Sequence, residues 1–111
     1  MDKTRALAIA HEWVEAFNRH DLEAILSHHA ESVALTSLLA TRVLGKPALR
    51  AYFAKALAAS PSLKFELLDV FTGVNSVAVY FRHSIRGLQI EIMELDADGR
   101  ITRVLVHHRD P

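Results

Sequence analysis

The feature that most restricts the fold of this chain is its C-terminal part. Beyond residue 62, strand-like segments follow one another with nothing but short breaks between them. The segments are residues 63–72, 76–85, 88–95 and 101–108, rich in Val, Ile, Leu and Phe, and the breaks are Gly73-Val74-Asn75, Arg86-Gly87 and Ala97-Asp98-Gly99. Connections this short cannot hold a crossover helix, so consecutive strands must pair antiparallel as a meander.

The helical periodicity lies upstream. Over residues 4–19, Ala6, Ile9, Ala10, Trp13 and Phe17 recur in steps of three and four while Arg5, Glu12, Glu15 and Arg19 fall opposite, which predicts an amphipathic helix. Asn18-Arg19-His20-Asp21 interrupts it, and Asp21 can cap a second helix with Leu22, Ile25, Leu26 and His29 on one face. Residues 32–38 read as a short strand and 41–44 as another, before Gly45 turns the chain. Pro47 suits the first turn of a third helix, whose stripe is Leu49, Phe53, Ala56 and Leu57 and which stops at Ser60-Pro61. Three helices with a short strand or hairpin among them, then four long strands, define an α+β class.

At 111 residues, half of them apolar, the chain is long enough for one core and too short for two, so residues 1–111 are expected to form a single domain. Thirteen basic residues balance thirteen acidic ones and the two signs are interspersed, so no field favours nucleic acid or an anionic membrane. The sequence contains no cysteine, which fits a reducing cytoplasm, and the N-terminus carries no signal-like apolar run. We therefore expect a cytoplasmic protein with neither a nucleic-acid nor a membrane partner.

The element order, with Trp13-Val14-Glu15-Ala16-Phe17-Asn18-Arg19-His20-Asp21-Leu22-Glu23-Ala24-Ile25 near the start and Asp98-Gly99-Arg100-Ile101 before the last strand, resembles the SnoaL-like branch of the nuclear transport factor 2-like superfamily. The resemblance covers nearly the whole chain. It implies a cone-shaped, cystatin-like fold in which three N-terminal helices pack on a curved, mainly antiparallel sheet around a small-molecule pocket. It also implies a homodimer through the outer sheet face. Members include ketosteroid isomerase, polyketide cyclases, epoxide hydrolases, dehydratases and non-catalytic binding modules, so activity must be argued from the site.

A turn at Arg86-Gly87 would set Arg82 opposite Glu91, Ser84 opposite Gln89 and Tyr80 opposite Met93 on one face. Val77, Val79, Phe81, His83, Ile85, Leu88, Ile90 and Ile92 would then occupy the other. Simple alternation buries the apolar face and leaves Arg82, Gln89 and Glu91 in water. The resemblance instead turns the polar face inward, and that arrangement is the one we expect, with Arg82 and Glu91 paired in the cone. A ketosteroid isomerase template puts Glu91 at its acidic hydrogen-bond donor, Trp13 at its tyrosine donor and Ser37 near its general-base aspartate. A serine of ordinary pKa cannot replace that base, which argues against steroid isomerisation by the same mechanism.

The expected ligand contacts are therefore Ser37, Tyr80, Arg82, Gln89 and Met93, with Val104 and Val106 from the last strand and an aromatic wall of Trp13, Phe17, Tyr52 and Phe53. Glu91 and His108 are the candidate acid–base groups, His108 because the resemblance gives its position a pocket-facing aromatic. His28-His29 and His107-His108 do not suggest a metal, since adjacent residues point apart on helix and strand alike. No cofactor motif is present: the sequence has no glycine-rich phosphate loop and no nucleophile elbow. The expected partner is a small apolar or carbonyl-containing ligand. A protein that only binds it, an isomerase, cyclase or dehydratase working through Glu91 or His108, and an interaction module using the outer sheet face all remain open.

Overall fold

A computed structural model describes residues 1–110. The elements run α1 (Lys3–Asn18), α2 (Leu22–Ser27), β1 (His29–Ser37), β2 (Thr41–Leu44), α3 (Lys46–Ala59), β3 (Phe65–Thr72), β4 (Ser76–His83), β5 (Gly87–Leu95) and β6 (Ile101–His108). The second and third helices begin where the sequence predicts, and the first begins one residue before the expected Thr4, capped by Asp2. The Asp2 carboxylate accepts the Arg5 N–H at 2.8 Å and Asp21 accepts that of Ala24 at 3.1 Å. Gly45, at φ 83°, turns the chain into α3 with Pro47 in the first turn.

All six strands form one sheet in the order β2-β1-β6-β5-β4-β3. Every neighbouring pair is antiparallel except β1 and β6, which can run parallel because α3 and four strands separate them in the chain. Register shifts in β3, in β5 against β6 and in β1 mark bulges that bend the strands and curve the sheet around the helices. The fold expected from the resemblance is therefore the fold observed.

The N-terminal helix is fastened to the sheet by backbone mimicry. Asn18 donates its side-chain N–H to Phe65 O at 3.0 Å and accepts the Phe65 N–H at 2.7 Å, behaving like one more strand residue beside β3. Next to it, the His20 ring bonds Leu63 O at 2.8 Å.

Among the boundaries that differ from expectation, three fall at a buried or chamber-lining residue. His29, read as part of the α2 face, is the first residue of β1, with 1% of its surface exposed and Nδ1 donating to Ile25 O at 2.8 Å. Burial holds its pKa down to about 4. Leu63 precedes β3, and β4 ends at His83 rather than continuing to Ile85.

The third difference carries the largest consequence. His83 pairs with Gly87, Phe81 with Gln89 and Val79 with Glu91, so the β4–β5 loop is Ser84-Ile85-Arg86 and not a two-residue turn. The His83 Nδ1 accepts the N–H groups of Ile85 and Arg86 at 3.1 and 3.0 Å, and Gly87 takes φ 84°, the combination that closes a three-residue loop. The resulting register differs from the expected one by an odd number of residues. Because side chains alternate with period two, β5 is flipped relative to β4. Val77, Val79, Phe81 and His83 share the inner face with Gln89, Glu91 and Met93, whereas Tyr80 and Arg82 share the outer face with Leu88, Ile90 and Ile92.

Candidate functional site

On the inner face, α1 packs over β3 and β4. Trp13 fills the space there, with ring centroids 5.2 Å from Phe17, 5.2 Å from Phe65 and 5.1 Å from Phe81. Over β5, β6 and β1 the interior is not filled. A cavity of about 80 Å³ lies there, its floor made by Gln89, Glu91, Val106 and His108. Ser37 and Leu35 of β1 line one side, and Phe17, Tyr52, Phe53 and Ala56 come from the helices, with Leu63, Phe65 and His83 at the far edge.

Eight expected contacts are thus brought together: Phe17, Ser37, Tyr52, Phe53, Gln89, Glu91, Val106 and His108. Five are not. Trp13, Met93 and Val104 face inward but are sealed in the core, at 2%, 0% and 2% exposure. Tyr80 and Arg82 lie on the opposite face of the sheet, and Arg82 pairs with Glu66 at 3.4 Å in the open. The expected Arg82–Glu91 pair therefore does not exist, because the three-residue loop puts the two side chains on opposite sides.

Without that guanidinium, Glu91 has no cation beside it. Its residual accessible surface is chamber wall, and burial pushes its carboxyl up to about 8. At neutral pH the group is predominantly the acid and can donate a hydrogen bond. His108 is also neutral there: burial lowers its pKa first, with Arg86 and His107 adding to the effect. Its Nδ1 stands 3.1 Å from the Gln89 amide nitrogen, which can only donate, so the ring proton resides on Nε2. That Nε2 is buried with no hydrogen-bond partner. An orphan donor of this kind costs stability unless something accepts from it.

His83 repeats the pattern. Two backbone donors occupy its Nδ1, which leaves the proton on Nε2, and burial, Arg86 and His108 hold its pKa down to about 4. The Ser37 hydroxyl oxygen accepts the Leu39 and Ala40 N–H groups at 3.1 and 3.0 Å, holding the β1–β2 turn while its own proton stays free. Glu91, His108, His83 and Ser37 thus give the chamber several donors and, at neutral pH, no charge. Among the described residues no three His, Asp or Glu side chains converge as metal ligands would.

His83, Leu35, Leu39, Ala56, Leu63 and Phe65 line the chamber without having been expected there. His83 could have been found: it continues the apolar alternation Val77, Val79, Phe81 with a polar side chain, and that interruption is the signal.

Residues 10–104 match the family described as SnoaL-like domain. The chain belongs to this family. A SnoaL-like protein of unknown function from Burkholderia thailandensis superposes with TM-score 0.93 at 33% identity, over 96% of each chain. A candidate isomerase of the SnoaL-like family from Agrobacterium tumefaciens gives 0.78 at 23% identity, over 93% of this chain and 96% of that one. A candidate polyketide cyclase from Sinorhizobium meliloti gives 0.79 at 18% identity, over 96% and 100%. No curated protein sequence matches the chain significantly. The latter two likenesses concern the fold alone; the chemistry of this SnoaL-like chain rests on its own chamber.

Proposed function

We propose that this SnoaL-like protein binds a small, largely apolar carbonyl compound in its chamber and catalyses a proton transfer on it, with Glu91 as the general acid. One observation carries the reading: a carboxyl without a cationic partner lines a mostly apolar cavity that also holds the unsatisfied Nε2–H of His108. Burial brings the Glu91 pKa near working pH, where an acid–base catalyst is most effective. A ligand oxygen accepting from Glu91 and from His108 would be polarised, and it would satisfy the orphan donor at the same time. Isomerisation, cyclisation and dehydration all need that polarisation, and the enolisation balances on one carboxyl: Glu91 gives its proton to the carbonyl oxygen, and the carboxylate so formed removes the proton from the adjacent carbon, leaving the enol and regenerating the acid. Gln89 acts as a positioning residue, since its amide holds the His108 tautomer.

The test is turnover of enolisable ketones, followed by proton exchange at the carbon next to the carbonyl. Glu91→Gln should lower the rate by about 10²–10⁴-fold with folding and ligand binding retained. Ligand binding without exchange by the native protein would leave a binding protein and remove the catalytic reading.

The outer face supports a homodimer as part of the same proposal. Phe71, Ala78, Ile92 and Leu105 form a row across four strands, and Phe71 and Ile90 are 57% and 41% exposed. Sedimentation should show a concentration-dependent dimer, and a monomer at micromolar protein would exclude it. The cysteine-free composition supports a cytoplasmic location. No helix among the described residues is long and apolar enough to cross a membrane.

A further inference from the structure

The chamber is not the whole concavity. Leu39, Tyr52, Ala56, Leu63 and His83 line it and also line a second hollow of about 450 Å³, which continues outward between α3 and the β4–β5 loop. A single molecule can therefore occupy both. The two compartments differ in charge. The chamber is lined by groups that are neutral at pH 7, whereas the outer hollow is bordered by Lys55 on α3 and Arg86 on the β4–β5 loop and by no carboxylate. Neither cation has an ion-pair partner within 4.0 Å among the described residues, so both are free to meet an anion. The field of Arg86 reaches inward, since it is among the causes that hold both His83 and His108 neutral.

We propose that the outer hollow is a subsite for an anionic tail, so that the ligand is a keto acid: a carbonyl end in the chamber and a carboxylate held between Lys55 and Arg86. This rests on the chamber being the ligand site. A carboxylate fits better than a phosphate dianion for two reasons. Ala59 and Ser60 bring the C-terminal end of α3, with its negative partial charge, to the hollow wall. Its lining also includes no helix N-terminus to receive a dianion. The site gives selectivity as well as affinity: a ligand without the negative tail gains nothing from the two cations, and a cationic one is repelled.

The experiment uses 5-oxo-5-phenylpentanoate and its methyl ester, which share the ketone end and differ in tail charge. Each is titrated calorimetrically at pH 7 into the native protein and into a Lys55→Gln/Arg86→Gln variant, while the imidazole resonances of His83 and His108 are followed by NMR. The acid should bind about three- to tenfold more tightly than the ester, as two exposed ion pairs allow. That advantage should disappear in the double variant and in 1 M salt, where charges are screened within about 3 Å, and ester binding should stay unchanged. Equal binding of acid and ester, with both imidazoles responding, would overturn the subsite and leave the chamber standing. An acid preference that survives in the double variant would also overturn it. Binding of neither compound, with no response at His83 or His108, would remove both the subsite and the chamber reading.

Discussion

The two halves of the inner sheet face have been put to opposite uses. Over β3 and β4 the face is filled: Val77, Val79 and Phe81 are fully buried, and Trp13 and Phe65 pack against Phe81. Over β5 and β6 the same face is hollow, and Glu91, Gln89 and His108 stand where Val79 and Phe81 stand on the neighbouring strand. The backbone is continuous and the register regular between the halves, so side-chain choice alone makes one a core and the other a chamber. Aromatic rings from α1 close the first half. In the second, Phe17, Tyr52, Phe53 and Ala56 of the helices wall a void without filling it, and its polar groups bond to one another or remain free.

The comparison breaks first under pH. Glu91 has a folded-state pKa of about 8 against an ordinary value of 4.5, so the folded protein holds this proton more tightly than the unfolded chain. That contribution is fully present below pH 4.5 and is lost as pH rises through 8, amounting to about 5 kcal/mol over the window. Glu91→Gln, which cannot ionise, should remove this alkaline loss. Denaturant titrations at pH 5 and pH 9 measure it, and an unchanged pH slope would show that the carboxyl is solvated. On the filled side, Phe81→Ala should cost about 3–5 kcal/mol in the same assay at every pH, because it opens a cavity in a sealed core. A loss below about 1 kcal/mol would mean that this half is loosely packed too. Smallest is the effect expected on the outer face, where Arg82→Ala removes an exposed pair with Glu66 and should change stability by less than about 0.5 kcal/mol and leave ligand binding unaltered. A clear loss of binding would place Arg82 in the chamber after all, contrary to the strand register.

Much of this was readable before any coordinates. Periodicity located the three helices and the strands, the starts of the second and third helices were visible at the Asp21 cap and the first-turn Pro47, and the resemblance carried by the first two helices and the last turn pointed to the fold. Glu91 and His108 were recognised as inward groups. What could not be read was whether the loop after β4 holds two residues or three. Arg86-Gly87 looks like a tight turn, but the imidazole of His83 takes up two backbone N–H groups and makes the longer loop the stable one. Each of the two arrangements weighed from sequence was right for one strand. Apolar side chains turn inward on β4, as simple alternation requires, and the polar side chains turn inward on β5, as the resemblance implied. Neither could be right for both once the parity changed.

The sequence by itself determined which segments are helix and strand, their order, and which residues alternate together along each strand, because those properties depend on neighbours a few positions away. Only the tertiary structure decided which alternating set on one strand meets which set on the next, that Trp13 is filler and not pocket wall, and that Glu91 is left without Arg82. Those outcomes depend on the loop that joins the strands and on how far side chains from distant elements reach into a shared interior. Neither is written in local pattern.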